Sequence, residues 1–223
     1  MESVNKGYMQ SPLDFSSQFQ RNRLALALEA PWRVSNELRR LLILPYIKMV
    51  FRLNGIIWGH SCRILGAPIV QCVRPSSITL GHRVTLRSWP ASNPLTPNHP
   101  VVLATRKHGA VIQIGDDCGF TGTTLVAAER IQIGNRVQIG ANSTIVDTDF
   151  HPIQVEERAR DFLNGQHAPI IIEDDVFIGM QSLILKGVTI GRGSVVGAGS
   201  VVTKNVPAGV VVAGNPARIV KEL

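Results

Sequence analysis

From Ile172 onward an aliphatic residue returns at every sixth position: Ile172, Ile178, Ile184, Ile190, Val196 and Val202. Four residues after each stands a small or β-branched side chain, Val176, Ser182, Val188, Ser194, Ser200 and Val206, and Gly179, Gly191 and Gly197 directly follow three of the aliphatic positions. An amphipathic helix would repeat at three and four residues and a half-buried strand at two, so neither accounts for a strict six. A hexapeptide solenoid does. Each unit supplies a short strand and a corner, three units close a triangular coil, and coils stack about 4.8 Å apart through backbone hydrogen bonds. The same register is predicted at Ile133, Ile139 and Ile145, and at Ile114, Phe120 and Val126, with a seven-residue step from Val126 to Ile133. Leu80 and Leu86 predict a first short coil.

Two segments interrupt the repeat, residues 88–109, which carry Pro90, Pro94, Pro97 and Pro100, and residues 147–169, which carry DTDFHP and the charged run EERARD. Loops thrust out of a rigid scaffold are where sites concentrate, and the second is richer in chemistry. Before the repeats, Gln20 to Leu53 has helical spacing, with Leu24, Leu28, Leu38, Leu41, Leu42 and Tyr46 on apolar faces, and predicts one or two helices. Their basic flank, Arg33, Arg39, Arg40, Lys48 and Arg52, suits a membrane surface, and packing on the solenoid's end is the other use for an apolar face there. The expected organisation is a helical extension over residues 1–60, a β-helix over 61–206 with the two inserted loops, and a tail over 207–223.

Composition sharpens this picture only slightly. The 223 residues are 44% hydrophobic and 17% charged, a globular balance, and the 20 glycines and 13 prolines lie within aliphatic segments, as repeated turns require. Cys62, Cys72 and Cys118 form an odd, widely spaced set that fits neither a disulfide framework nor a zinc site, so a reducing, cytoplasmic setting is expected. The net charge of +7 is scattered without interleaved aromatics, which argues against nucleic acid and leaves anionic small molecules or an acidic membrane face. Met1 to Gln20 is polar and mixed, unlike a secretory leader, and Leu41 to Trp58 is interrupted by Pro45, Lys48, Arg52 and Asn54, unlike a bilayer span.

The string IGANSTIVDTDFHPI, with the later IEDDVFIGMQSLILKGVTIGRGSVVGAGSVVTKNVPAGVVVAGNPARIV, resembles the hexapeptide-repeat acyltransferases, over roughly Ile112 to Val220. Within them it is most similar to the sugar O-acetyltransferase branch, with kinship to maltose, galactoside and serine acetyltransferases. The resemblance implies a left-handed parallel β-helix, a homotrimer with sites between subunits, acetyl-coenzyme A as co-substrate, no metal, and a hydroxyl of a sugar or glycan precursor as acceptor. It implies that His151, at the start of the second loop, is the general base. The chemistry agrees, because a hydroxyl attacks well only as its proton is removed and an imidazole is suited to that at neutral pH. Asp147 and Asp149 stand close enough for one to orient the ring, and Asp149 is the one favoured.

For coenzyme A the resemblance points to Ala198 in GAGS, Thr203 and Lys204 in VVTK, and Arg218 in GNPAR, with Lys221 adding to the positive patch. Gly179 and Met180 fall where the family places a backbone amide and a small polar residue beside the thioester, and methionine departs from the latter. On the acceptor side GFTGTT replaces an asparagine-bearing segment and Ala128 stands where the family has aspartate. Phe120 and Thr121 are candidates for the pocket border or for core packing. The other histidines, His60, His82, His99, His108 and His167, have no metal-ligand spacing. An amino-sugar N-acyltransferase is the alternative expectation. A non-catalytic β-helix scaffold is a weaker one, since it gives no reason for DTDFHP or GNPAR.

Overall fold

The computed structural model describes residues 29–223, so the helical signal at Leu24 and Leu28 lies outside the described residues. Helix α1 (Pro31–Leu53) opens on a proline at its first position, where no intrahelical N–H is needed. The chain then winds into coils of three short strands: β1 (Ile57–Trp58), β2 (Arg63–Leu65), β3 (Ile69–Cys72); β4 (Ser77–Leu80), β5 (Thr85–Arg87), β6 (Val102–Thr105); β7 (Val111–Ile114), β8 (Gly119–Thr121), β9 (Thr124–Ala127); β10 (Arg130–Ile133), β11 (Gln138–Ile139), β12 (Thr144–Val146); β13 (Ile170–Ile172), β14 (Phe177–Ile178), β15 (Leu183–Ile184); and β16 (Thr189–Ile190), β17 (Val195–Val196), β18 (Val201–Val202). Every third strand pairs in parallel, giving three sheets of six, eight and six strands. The expected solenoid, a left-handed parallel β-helix, is the fold. Strand β19 (Val210–Gly214) continues the middle sheet on β17, and β20 (Ala217–Glu222) folds back on it antiparallel.

The interior is one column of aliphatic side chains. Ile172, Ile178, Ile184, Ile190, Val196 and Val202 are all at most 1% exposed. Burying each contributes roughly 1.5–3 kcal/mol, which offsets the entropy of ordering so much turn. At one corner, side chains bridge coil to coil: the His82 amide donates to Asp116 Oδ1, the Asp116 amide to Asn135 Oδ1 and the Asn135 amide to Asp174 Oδ1, each at 2.8 Å. The next residue in the same corner has positive φ in successive coils, at Arg83, Asp117, Arg136 and Asp175, and these pair as Arg83 with Asp117 and Arg136 with Asp175. The guanidinium beside each of these two aspartates holds its carboxyl below the ordinary value.

Three features differ from the expected register. A complete coil, β1 to β3, precedes Leu80, with Trp58, Ile64 and Val70 at six-residue spacing in register with Leu80, Leu86 and Leu103. The first interruption is shorter than residues 88–109, because Val102–Thr105 returns as a sheet strand beside β3 and β9. Ser88 Oγ closes its neck by accepting from the Val101 amide at 3.1 Å. Lastly, Leu125 and not Val126 fills the interior opposite Ile145, whereas Val126 sits in a small outer cluster with Ala104 and Val146. The step from Leu125 to Ile133 is thus eight residues, two more than the period, and the surplus is absorbed at the corner Ala128 to Arg130. There Asp147, fully buried, accepts the Ala128, Glu129 and Arg130 amides at 2.6, 2.8 and 2.8 Å. Burial pushes its carboxyl above the ordinary value, against the downward pull of these amides.

Helix α1 closes the open end of the prism. Ile47 and Phe51 are buried against the first coil, Phe51 meets Trp58 edge-on with ring centroids 5.3 Å apart, and Asn36 Nδ2 donates to the Ala91 carbonyl. The register yields a direct test: Leu125→Ala should lower unfolding free energy by about 2–5 kcal/mol and Val126→Ala by no more than about 1.5 kcal/mol, measured by urea denaturation. A larger loss at Val126 would contradict the assignment of the interior column.

Candidate functional site

The second interruption leaves the prism after Val146 and returns at Ile170. Its neck is a short antiparallel pairing: Thr148 bridges His167, the Asp149 amide donates to the Gln166 carbonyl at 2.9 Å, and the Ala168 amide donates to the Asp147 carbonyl at 3.0 Å. Since Asp147 is also the brace of the preceding corner, the loop starts from a fixed point. Helix α2 (Val155–Arg160) forms the loop's outer rim, and a cleft of about 690 Å³ lies between it and the returning strand, lined by Pro152, Glu157, Arg160, Asn164, Gly165 and His167 among others.

His151 sits at the turn of this loop. Its Nδ1 lies 2.7 Å from the Phe162 carbonyl, and its ring stacks on Phe162 with centroids 3.9 Å apart. A carbonyl oxygen only accepts, so Nδ1 carries the proton and Nε2 presents its lone pair, which is the form a general base needs. Nε2 has no hydrogen-bond partner among the described residues. The backbone on either side is held hard. Phe150 has φ 61°, the His151 amide bonds the Asp149 carbonyl at 2.7 Å, and a Cβ on Gly165 would lie 2.6 Å from both His151 N and Phe150 C. Gly165 is therefore glycine because two backbones cross there.

Asp149 does not orient the ring. One carboxylate oxygen pairs with Lys186 Nζ at 2.8 Å, and the other is buried without a partner among the described residues. The physical reason is the reach of the loop: Asp149 points back to the scaffold, where Lys186 stands one strand beyond, while the imidazole turns outward to Phe162. Lys186, Phe162 and Gly165 were not singled out from sequence. Lys186, a lone cation in the run LILKGVT, was the one of the three with a visible signal.

The other predicted positions gather on a different part of the prism. Gly179 is stacked so closely on the next coil that a Cβ there would lie 2.5 Å from Ala198 N, and a Cβ on Gly197 would lie 3.0 Å from Ala213 Cβ. Ala213 is paired with Arg218 across the β19–β20 turn. Met180, Ala198, Ala213 and Arg218 thus follow one edge across three strand spacings, about 14 Å. The Gly179 amide donates to the Val196 carbonyl at 2.7 Å and is not free, whereas the Met180 amide has no hydrogen-bond acceptor among the described residues. Of the two amides, only Met180's is available to a ligand. Lys204 and Arg218 share a cleft of about 240 Å³ with Asn205, Val206, Val212 and Ile219. Thr203 is exposed beside it, and Lys221 stands exposed on β20 opposite Val211. This cleft and the cleft of the second loop have no lining residue in common, and His151 lines neither.

Phe120 and Thr121 resolve toward packing: Phe120 is fully buried in the interior and Thr121 is 4% exposed. Gly122, at φ 51°, lets the first interruption lie against the corner, since a Cβ there would lie 2.7 Å from Pro97. His60 and His82 stack on successive corners, and His167 pairs with Glu129 at 2.9 Å. Burial raises the Cys62, Cys72 and Cys118 thiols, Cys118 to about 12, which leaves none of them a ready thiolate.

Residues 130–160 and 169–204 match the hexapeptide repeat of succinyl-transferase. A 2,3,4,5-tetrahydropyridine-2,6-dicarboxylate N-acetyltransferase of Clostridium perfringens is 67% identical over 55 residues, 25% of this chain and 23% of that protein. The namesake enzyme of Staphylococcus aureus is 56% identical over the same length and the same shares. The chain therefore spans about a quarter of the length of these relatives. A crystal structure of a mutant of AntD, an N-acyltransferase from Bacillus cereus in complex with dTDP-4-amino-4,6-dideoxyglucose and coenzyme A, superposes with a TM-score of 0.58. It is 18% identical, with 78% of this chain and 88% of that one covered, which shows a shared fold. The six-residue register, the closed triangular coils and this match together give the chain a hexapeptide repeat over residues 130–160 and 169–204 within a left-handed parallel β-helix.

Proposed function

We propose that the chain is an acetyl-coenzyme A-dependent O-acetyltransferase that acylates a hydroxyl of a sugar or glycan precursor in the cytoplasm. The observation that carries this reading is His151, held by the Phe162 carbonyl in the one tautomer that leaves Nε2 its lone pair. The edge from Met180 to Arg218 suits an elongated pantetheine arm, with Lys204 and Arg218 toward its phosphates. The His151 loop and the Lys204–Arg218 edge lie on different parts of one chain, and in this reading a homotrimer brings the loop of one copy to the edge of the next.

In this reading His151 Nε2 removes the acceptor proton as the hydroxyl oxygen attacks the thioester carbonyl. The Met180 amide donates to the oxyanion that forms, a contribution of about 3–4 kcal/mol in comparable sites. Collapse breaks the carbon–sulfur bond, and the departing thiolate takes the proton back from the imidazolium. No acyl-enzyme is needed, in keeping with the raised cysteine thiols. The second reading, transfer to an amino sugar, is favoured by the N-acyltransferase activity of AntD and of the Clostridium perfringens relative. Treating the product with hydroxylamine separates the two, since an ester is cleaved and an amide survives.

His151→Ala should lower kcat by about 10²–10⁴-fold with coenzyme A binding retained, followed by thiol release with purified acceptor. Full transfer by that variant would remove the assignment. Gly165→Ala should lower kcat at least about tenfold, because a 1 Å misplacement of a reacting group costs on that order. Its melting temperature should stay near the parent's, since only the loop is displaced. Arg218→Glu together with Lys204→Glu should raise KM for acetyl-coenzyme A at least about tenfold and leave kcat nearly unchanged, since two opposed charges are worth about 1.4 kcal/mol or more.

A further inference from the structure

Helix α1 is apolar on two sides. One side is the cap on the prism, where Ile47 and Phe51 are buried and Ile43 and Val50 pack beside them. On the other, Leu38, Leu42, Tyr46, Met49 and Leu53 are each at least half exposed, Leu42 at 82%. Steps of four, four, three and four residues put these five in a single stripe opposite the buried face. Leu41 lies beside it and Ile57, 69% exposed, just beyond its end. At 3.6 residues per turn, exposed Lys48 and Arg52 run along one edge of the stripe and Arg39 along the other. The helix has a single acidic residue, Glu37, and that carboxylate is turned to Arg40 and Arg63.

We infer that this stripe seats the protein on an anionic phospholipid surface, with α1 lying in the plane of the interface and the β-helix standing away from it. An apolar stripe edged by cations is the pattern that inserts side chains below the headgroups while the cations meet lipid phosphates. No described helix is long and apolar enough to cross a membrane, which makes the contact peripheral. A second copy of the same face is a poorer occupant, because an isologous pairing would set the basic edges of both copies against each other. The geometry also assigns the helix both of its faces at once, since the cap and the stripe use different residues.

The test is co-sedimentation of the full chain with vesicles of phosphatidylcholine alone and of phosphatidylcholine mixed with phosphatidylglycerol. Binding to the mixed vesicles, weakened by added salt, is expected. Lys48→Ser with Arg52→Ser should weaken it by about 30-fold, at about 1 kcal/mol per basic residue near the surface. Leu42→Gln with Met49→Gln should abolish it while the melting temperature and transfer to a soluble acceptor are kept. No binding to the mixed vesicles at low salt would overturn the inference. So would assembly of the free protein that grows with its concentration and is broken by the Leu42 and Met49 substitutions, because the stripe would then be an interface between copies.

Discussion

Everything in this molecule follows from one geometric constraint: three short strands and three corners must bring the chain back directly above its starting point, one strand spacing higher. The strands send one or two aliphatic side chains each into the interior, and the corners have so little room that a Cβ on Gly140, Gly179 or Gly191 would press within 2.4 to 2.5 Å of the backbone of the coil above. Under that constraint a segment that does not fit cannot be absorbed by bending the coil. It is expelled at a corner, and the structure contains two such expulsions, each tied at the neck by hydrogen bonds from fixed backbone.

The chemistry depends on how rigidly the second expulsion is anchored. Asp147 has two tasks, bracing the lengthened corner at Ala128 to Arg130 through its carboxylate and receiving the returning strand through its carbonyl. Lys186 then fastens Asp149, and Gly165 lets the returning chain press against Phe150 and His151. The imidazole needs no acid behind it, because a backbone carbonyl fixes its tautomer and brings no buried charge with it. Nε2 is left without a hydrogen-bond partner among the described residues, as the proposed general-base role requires.

The helix at the open end answers a second consequence of stacking. A solenoid's terminal coil exposes the apolar column that every other coil hides, and Ile47 and Phe51 cover it. A helix only one side of which is needed for capping would ordinarily be polar on the other. Here the outer side is as apolar as the inner one and is edged by arginine and lysine, so its composition reflects a demand other than folding.

The solenoid is legible in the six-residue period, because each position in it reports an interior or a corner environment, whereas its left hand followed only from the resemblance. The sequence also located His151, since a loop is legible wherever the period stops. It assigned Val126 to the interior, because Val126 stands six residues after Phe120, whereas the stacked coils place Leu125 opposite Ile145 and turn Val126 outward. The first coil is hidden in the sequence because Trp58 stands at the first of its three six-spaced positions, where the later coils carry leucine or isoleucine. The partner of the imidazole, the pairing of Asp149 with Lys186, and the choice of Met180 over Gly179 as the free amide were settled by tertiary structure alone. Each depends on which atoms of distant segments meet once the coils are stacked, and a one-dimensional pattern carries no record of that.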